Sequence, residues 1–289
     1  MNFSFITVSF PVDDLTYNEM KSLCDECYAI DEVHYNKILN IPTAKNYEVN
    51  GFFVLAYHDE TDKLVGLGSA IDLTGLNTFE WSIVVHPMYR QIGLGNTIFQ
   101  VVQESMEVRQ SIGNLALIIE NRGAFNKQFI EKKGYHYSFS EATFEVKPCF
   151  EELPKNFSMR PFIHSDKPHL IEIFTGAFGD TEEEAIDLIE FNQSHEKLIL
   201  WTAIFNEEIV GTITTRKEGQ IIWITAFAVH SNMEGKGIGT TILKYIKNYA
   251  ANNGEKLIML DVEMENERAR SVYEKAGFMK SSQIDYYAL

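Results

Sequence analysis

Apolar positions along this chain change their period many times, and they do so in nearly the same order twice. In the first half, alternating or continuous apolar runs predict strands over residues 3–10, 52–58, 64–73, 78–85 and 115–120. Helical spacing predicts a helical region from about 14 to 41, a helix over 97–109 through Ile98, Val101, Val102 and Met106, and a helix over 123–133 that Gly134 stops. The second half predicts a strand over 157–163, helices over 167–178 and 182–192, and strands over 198–205, 209–216 and 220–229. A helix over 239–252, a strand over 256–262, a helix over 267–276 and a last strand near 284–288 complete it. Strands joined by tight turns and followed by strand–helix alternation indicate a mixed sheet covered by helices.

Landmarks confirm the duplication. Two glycine loops, Arg90-Gln-Ile-Gly-Leu-Gly95 and Glu234-Gly-Lys-Gly-Ile-Gly239, stand 144 positions apart. Val85-His86 answers Val229-His230, Val65-Gly66 answers Val210-Gly211, and Lys132-Lys-Gly-Tyr135 answers Lys275-Ala-Gly-Phe278. A self-match at a fixed lag marks one unit written twice. The stretch 147–155, with Pro148 and Pro154 among charged residues, is the expected join.

Composition narrows the field. The 289 residues suit two domains of ordinary size. Net charge is −16, with 25 Lys+Arg against 41 Asp+Glu, which argues against a nucleic-acid partner and is compatible with a cationic amine. No apolar run reaches the length of a membrane span, and residues 1–11 carry no basic leader, so a cytoplasmic protein with no membrane partner is expected. The three cysteines form no disulfide framework; Cys24-Asp-Glu-Cys27 lies in a helical pattern with no second pair to complete a metal site, and no metal is expected.

A glycine loop running from a strand into a helix leaves unpaired N–H groups at the positive end of the helix dipole, which suits an anion such as a pyrophosphate. Neither loop carries the third glycine of a dinucleotide fingerprint, and neither ends in the Gly-Lys-Ser/Thr of a P-loop.

Val229-His230 with the loop through Gly239, followed by Asn266-Glu-Arg-Ala-Arg-Ser-Val-Tyr-Glu-Lys-Ala-Gly-Phe278, resembles the two signature segments of the GNAT-superfamily N-acetyltransferases. Those enzymes move an acetyl group from acetyl-CoA to an amine. The resemblance implies an α+β fold of two tandem GNAT-like domains, each a mixed, mostly antiparallel sheet flanked by helices. Residues 1–147 would form an N-terminal domain degenerate in catalysis and residues 156–289 a catalytic C-terminal domain, a layout similar to that of mycothiol synthase.

The same resemblance implies acetyl-CoA as co-substrate and a primary amine of a small molecule or peptide as acceptor. In the second copy the cofactor would meet Phe227, Ala228 and Val229, the loop Glu234, Gly235, Lys236, Gly237, Ile238, Gly239, Thr240 and Thr241, and Asn266. In the first copy it would meet Val84, Val85, Arg90, Gln91, Ile92, Gly93, Leu94, Gly95, Asn96 and Thr97. Tyr273 would protonate the departing thiolate. Ile130 stands at its place in the first copy, and Glu234 replaces Arg90 in the second. Glu263 is the candidate general base, with Glu265 and Thr225 nearby and Glu80 as a first-copy competitor; His86 and His230 are expected in turns. The complementary losses leave a second reading, a non-catalytic CoA-binding or assembly protein. Oligomeric state is not legible.

Overall fold

The computed structural model describes residues 2–120 and 123–289. The chain divides into two units, Met1–Ser140 with Ile284–Leu289, and Glu141–Gln283. The first contains β1 (Phe3–Ser9), α1 (Asp14–Asp31), β2 (Asn50–His58), β3 (Lys63–Asp72), β4 (Thr78–Val85), α2 (Leu94–Val108), β5 (Gly113–Ile119) and α3 (Gly123–Glu131). Strand β6 (His136–Val146) then leads into the second unit. That unit contains β7 (Phe157–Pro161), α4 (Lys167–Phe178), α5 (Glu182–Ser194), β8 (Leu198–Phe205), β9 (Glu208–Glu218), β10 (Ile221–Val229), α6 (Ile238–Asn252), β11 (Leu257–Glu263) and α7 (Glu267–Lys275). Strand β12 (Met279–Ala288) begins there and ends in the first unit.

The first unit orders its strands β1-β2-β3-β4-β5-β12 and the second β6-β11-β10-β9-β8-β7. Within each, the pair that leads into the crossover helix, β4 on β5 and β10 on β11, is parallel, and the remaining ladders are antiparallel.

The units do not follow the expected division into 1–147 and 156–289, because the copies exchange strands. The last strand, expected in the second copy, pairs with β5 of the first from Ile284↔Ile119 to Ala288↔Leu115. The second unit is completed instead by β6, from Ile258↔Val146 to Glu263↔Glu141. The apolar pattern of residues 136–146 predicts no element because its parity switches where the chain changes units. Phe139 stacks on Tyr286 in the first unit, whereas Ala142 and Phe144 enter the core of the second.

The helical region expected over 14–41 ends early. Glu32 takes a left-handed conformation, φ 56°, and its N–H closes α1 on the Tyr28 carbonyl. Residues 35–44 fold back as turns, with a short 3-10 segment at Ile41–Thr43. Their apolar members Tyr35, Ile38, Leu39, Ile41 and Ala44 are buried against one face of the first sheet with α1, Val84, Leu117 and Tyr286. Apolar spacing there reflects packing rather than helix.

On the opposite face α2 lays Leu94, Ile98, Val102 and Met106 against Phe52, Val54, Trp81 and Ala116. In the second unit α6 and α7 pack on one face with Ile222, Ile224, Leu260 and Val262, and α4 and α5 pack on the other with Leu200 and Ala228. The repeated Val-Gly landmark has a steric origin. A Cβ at Gly66 would stand 2.6 Å from Ile98 Cδ1, and one at Gly211 would stand 2.8 Å from Ile242 Cδ1, so glycine lets each crossover helix settle onto its sheet.

Candidate active site

Each glycine loop delivers a helix N-terminus at the end of a parallel strand pair. In the second unit Gly235 and Gly237 have φ of 70° and 79°, which favours glycine, and a Cβ added at either would meet nothing within 4 Å. The helix ladder opens with Thr241 N–H on the Gly237 carbonyl, 3.0 Å, so the N–H groups of Ile238 to Thr240 are left for the open side. Thr241, expected among the free donors, is thus engaged within the helix. In the first unit the same holds for Asn96 and Thr97, whose N–H groups both bond the Gly93 carbonyl, at 3.0 and 3.2 Å. Gln91, φ 62°, occupies the left-handed position that Gly235 fills in the second copy.

The strands entering the loops differ. Strand β4 pairs with β3 without interruption from Ile71↔Glu80 to Gly66↔Val85. Strand β10 pairs Thr225↔Thr214 and then Ala228↔Thr212, so Ala226 and Phe227 both face the one residue Ile213. Ala226 sits at φ 45° within this bulge, a strained conformation for a residue with a Cβ. Pairing with β11 stops at Ile224↔Leu260, and the two strands part at the bulge. Backbone groups there are released from both ladders.

The bulge also switches which side chains face which helices. Ile222 and Ile224 before it, and Phe227 and Val229 after it, all face α6 and α7, whereas Ala228 faces α4 and α5. Tyr273, on α7, is buried with its ring against Phe227 and Phe278, centroids 6.1 Å away in each case. Burial pushes its phenol up to about 12. Glu263 ends β11 one residue after Val262, which faces α6 and α7, so its exposed carboxylate lies on the opposite face from Tyr273. No hydrogen bond or ion pair engages the Glu263 carboxylate among the described residues, and its backbone carbonyl accepts the Asn266 N–H at 3.0 Å.

Other expected site residues take structural partners. Asn266 caps α7 by accepting the Ala269 N–H at 3.0 Å. Glu234, in the place of Arg90, is ion-paired with Arg268 of α7, which offsets its charge beside the loop. Lys236 reaches the Met233 sulfur at 3.7 Å. Arg90 itself is bound away from the loop: its guanidinium grips the Asp31 carboxylate in bidentate fashion and its Nε–H donates to the Val85 carbonyl at 2.8 Å. Ile130, in the place of Tyr273, is buried beneath α2.

The first unit is also filled on its other face. Ser82, at the ladder position of Thr225, is buried and donates to the Ile38 carbonyl at 2.7 Å, tying residues 35–44 over the strand. His86 and His230 each accept the N–H two residues on, at 3.3 and 3.2 Å, and turn their other nitrogen to Glu26 and Glu172, both at 3.2 Å. They are turn caps, as expected. Cys24 and Cys27 are buried on α1 and their thiols are pushed up to about 12 and about 11. Two surface hollows, about 510 Å³ on α1 and about 460 Å³ lined by His164, Lys167, Pro168 and Glu182, include no loop residue. Among the described residues no group of three or more His, Cys, Asp or Glu is placed to hold a metal ion, and no helix is long and apolar enough to cross a membrane.

Strand, glycine loop and helix N-terminus recur, with the bulge in the second copy, where sequence comparison finds a known family. The acetyltransferase (GNAT) family model matches residues 17–135 and again residues 167–278. This chain belongs to the GNAT family. As a GNAT protein it is an acyltransferase with two tandem copies of the fold. Among curated GNAT relatives, the uncharacterized N-acetyltransferase YhfO of Bacillus subtilis is 31% identical over 103 residues, covering 34% of this chain and 68% of that protein. N-alpha-acetyltransferase 30 of Schizosaccharomyces pombe is 27% identical over 94 residues, 31% of this chain and 63% of that protein. A GCN5-related N-acetyltransferase from Sphaerobacter thermophilus shares the fold over 99% of this chain and 95% of its own, with TM-score 0.77 and 18% identity. A tandem GNAT protein from the clavulanic acid biosynthesis pathway matches over 100% and 98%, with TM-score 0.70 and 13% identity.

The sequence did not reveal the bulge or the Arg268 partner of Glu234. The bulge had a signal. Trp81 and Ile224, which face the crossover helices, are separated by 143 positions, whereas Ile83 and Phe227 are separated by 144, so one residue is inserted within the strand.

Proposed function

We propose that the second unit is an acetyl-CoA-dependent N-acetyltransferase that moves an acetyl group to a primary amine of a small molecule or peptide by direct attack. The observation that carries this reading is the bulge and parting of β10 from β11, present in the second unit, with Tyr273 on one side of the opening and Glu263 on the other. The residues fit the co-substrate: open space before Gly235 and Gly237, free N–H groups at the start of α6, and unpaired backbone along β10 to receive an extended arm as an added strand. When bound, the co-substrate supplies the activated acyl group.

The chain's own groups would do the rest. N–H groups freed by the bulge polarise the carbonyl under attack and stabilise the charge on its oxygen. Glu263, on the α4 and α5 face, takes the proton of the incoming amine directly or through water. Tyr273, on the α6 and α7 face, keeps its proton throughout the neutral range and gives it to the departing sulfur. The first unit would be catalytically degenerate: Ile130 offers no proton, β4 is unbulged, and residues 35–44 lie over Ser82. We place the protein in the cytoplasm on its three free thiols.

The test is Tyr273→Phe, assayed by thiol release from acetyl-CoA over a panel of amines and by calorimetric titration of acetyl-CoA. We expect kcat to fall by roughly 10²-fold or more with affinity for acetyl-CoA retained. Unchanged turnover removes the assigned role, and binding without acetylation of any amine by the wild type favours the non-catalytic reading.

A further inference from the structure

On the face of the second sheet that Glu263 occupies, the two copies are chemically opposite. Strand β5 presents Leu115, Leu117 and Ile119 to the core beneath α1. The matching positions of β11, fixed by the ladder pairs Trp81↔Ala116 and Ile224↔Leu260, are Met259, Asp261 and Glu263. Their partners on β6 are Glu145, Thr143 and Glu141. Four carboxylates thus lie on two adjacent strands of a face that the first copy makes apolar.

The row through the middle of this face is polar across four strands. Thr143 donates to Asp261 at 2.6 Å, Asp261 and Thr225 each follow directly on the last parallel pair, Leu260↔Ile224, and Thr225 is paired with Thr214. Thr225 and Asp261 are exposed, although they lie in the middle of the sheet. Thr214 is 0% exposed, and its Oγ1 is a buried atom with no hydrogen-bond partner. A buried hydroxyl left unpaired costs about 1–3 kcal/mol and is expected to have a partner in the working state. In the row below, half-buried Trp223 lies between Arg216 and Met259. Arg216, the cation of that row, is paired with Glu218 at 2.9 Å, and Glu145 at its far end has no ion pair among the described residues.

We propose that the acceptor of the second unit is a small linear dication, an amine carrying a second ammonium group further along an apolar chain. This rests on the acetyltransferase reading of the same site. The reacting amine lies beside Glu263, and the second charge lies over Asp261 or between Trp223 and Glu145. With strands rising about 3.3 Å per residue, those positions are roughly 7 and 13 Å down the face from Glu263, the spacing of charges in diamines and triamines. The Thr214 and Thr225 hydroxyls accept from the ammonium N–H groups, and the Trp223 ring offers a surface for a cation. The same chemistry could be presented by a lysine side chain of a peptide, which the experiment separates.

The experiment compares kcat/KM for n-pentylamine, 1,5-diaminopentane, spermidine and a short lysine-containing peptide, with calorimetric titration of spermidine into the full chain. We expect spermidine or the diamine to exceed the monoamine by about tenfold or more, with the peptide below both, and the preference to shrink with added salt. Glu145→Gln and Thr214→Val should each reduce the ratio of dication to monoamine, Glu145→Gln by about tenfold, with melting temperature as the check on folding. Equal use of monoamine and dication, or a ratio untouched by Glu145→Gln in a folded variant, overturns the proposal and leaves acetyl transfer standing. Preference for the peptide also overturns it. If no amine is acetylated, the acetyltransferase reading fails; spermidine binding that Glu145→Gln abolishes would still support the cation site, and absence of binding would end it.

Discussion

Tyr286→Ala discriminates between the observed exchange of strands and the simple division into consecutive halves. The side chain is 8% exposed and belongs to the core beneath α1. It stacks on Phe139 with centroids 4.4 Å apart and planes 10° from parallel, and its backbone partner on β5 is Leu117. Replacing a buried aromatic by alanine costs about 3–5 kcal/mol, of which stacking accounts for about 0.5–1.5. A domain of this size has about 5–15 kcal/mol in total, so the loss removes a large fraction of the first unit's stability. The expected fall in its melting temperature is on the order of 10–20 °C. Hydrogen exchange read by mass spectrometry on fragments is the assay. Amides of β2, β3, β5 and α1 should lose protection, while those of α6, β8 and β9 keep theirs. If exchange accelerates in the second unit and leaves the first unchanged, the pairing of β12 with β5 is wrong.

Two further outcomes are expected. Arg268→Ala leaves Glu234 uncompensated beside the loop; at partly exposed positions this should weaken acetyl-CoA binding by about three- to tenfold, less at high salt, and calorimetry at two ionic strengths checks it. Burial holds the imidazole of His86 below its ordinary value of 6.5, with Glu26 acting in the opposite direction. A base whose folded pKa is depressed binds protons more readily when unfolded, so its contribution is neutral above 6.5 and destabilising as pH falls below it. Urea midpoints between pH 8 and pH 5 should therefore fall less steeply for His86→Gln than for the wild type.

Much of the fold was legible because local pattern and tertiary role agree. The helices α2 and α6 bury one stripe each, and their start is fixed by Gly93 and Gly237. The strands β2, β3, β8 and β9 are apolar enough to be recognised without context. What failed to show were features set by distant partners. Residues 35–44 are apolar because a sheet face lies beneath them, and periodicity alone reads this as more helix. Strand β6 hides because its two halves serve different cores. At the site, the loops, Tyr273 and Glu263 could be named from motif and order, and their disposition on opposite faces follows from alternation once the strand bounds are known. The commitments of Arg90 to Asp31 and of Glu234 to Arg268 could not be, since each joins a motif residue to a helix whose packing the sequence does not state.

The exchanged C-terminal strand has a consequence for the newborn chain. Strand β5 is finished after residue 119, yet its neighbour Ile284–Ala288 is made only after the whole of the second copy has been synthesised. At about 5–20 residues per second the ribosome needs on the order of ten seconds to supply it. For that interval Leu115, Leu117 and Ile119 border an unpaired edge, which is a template for pairing with another nascent chain. The second unit has no such delay, because β6 precedes it in translation and is waiting when β11 emerges. Maturation should therefore run against the order of synthesis, the later copy closing first and the earlier one only once β12 has emerged.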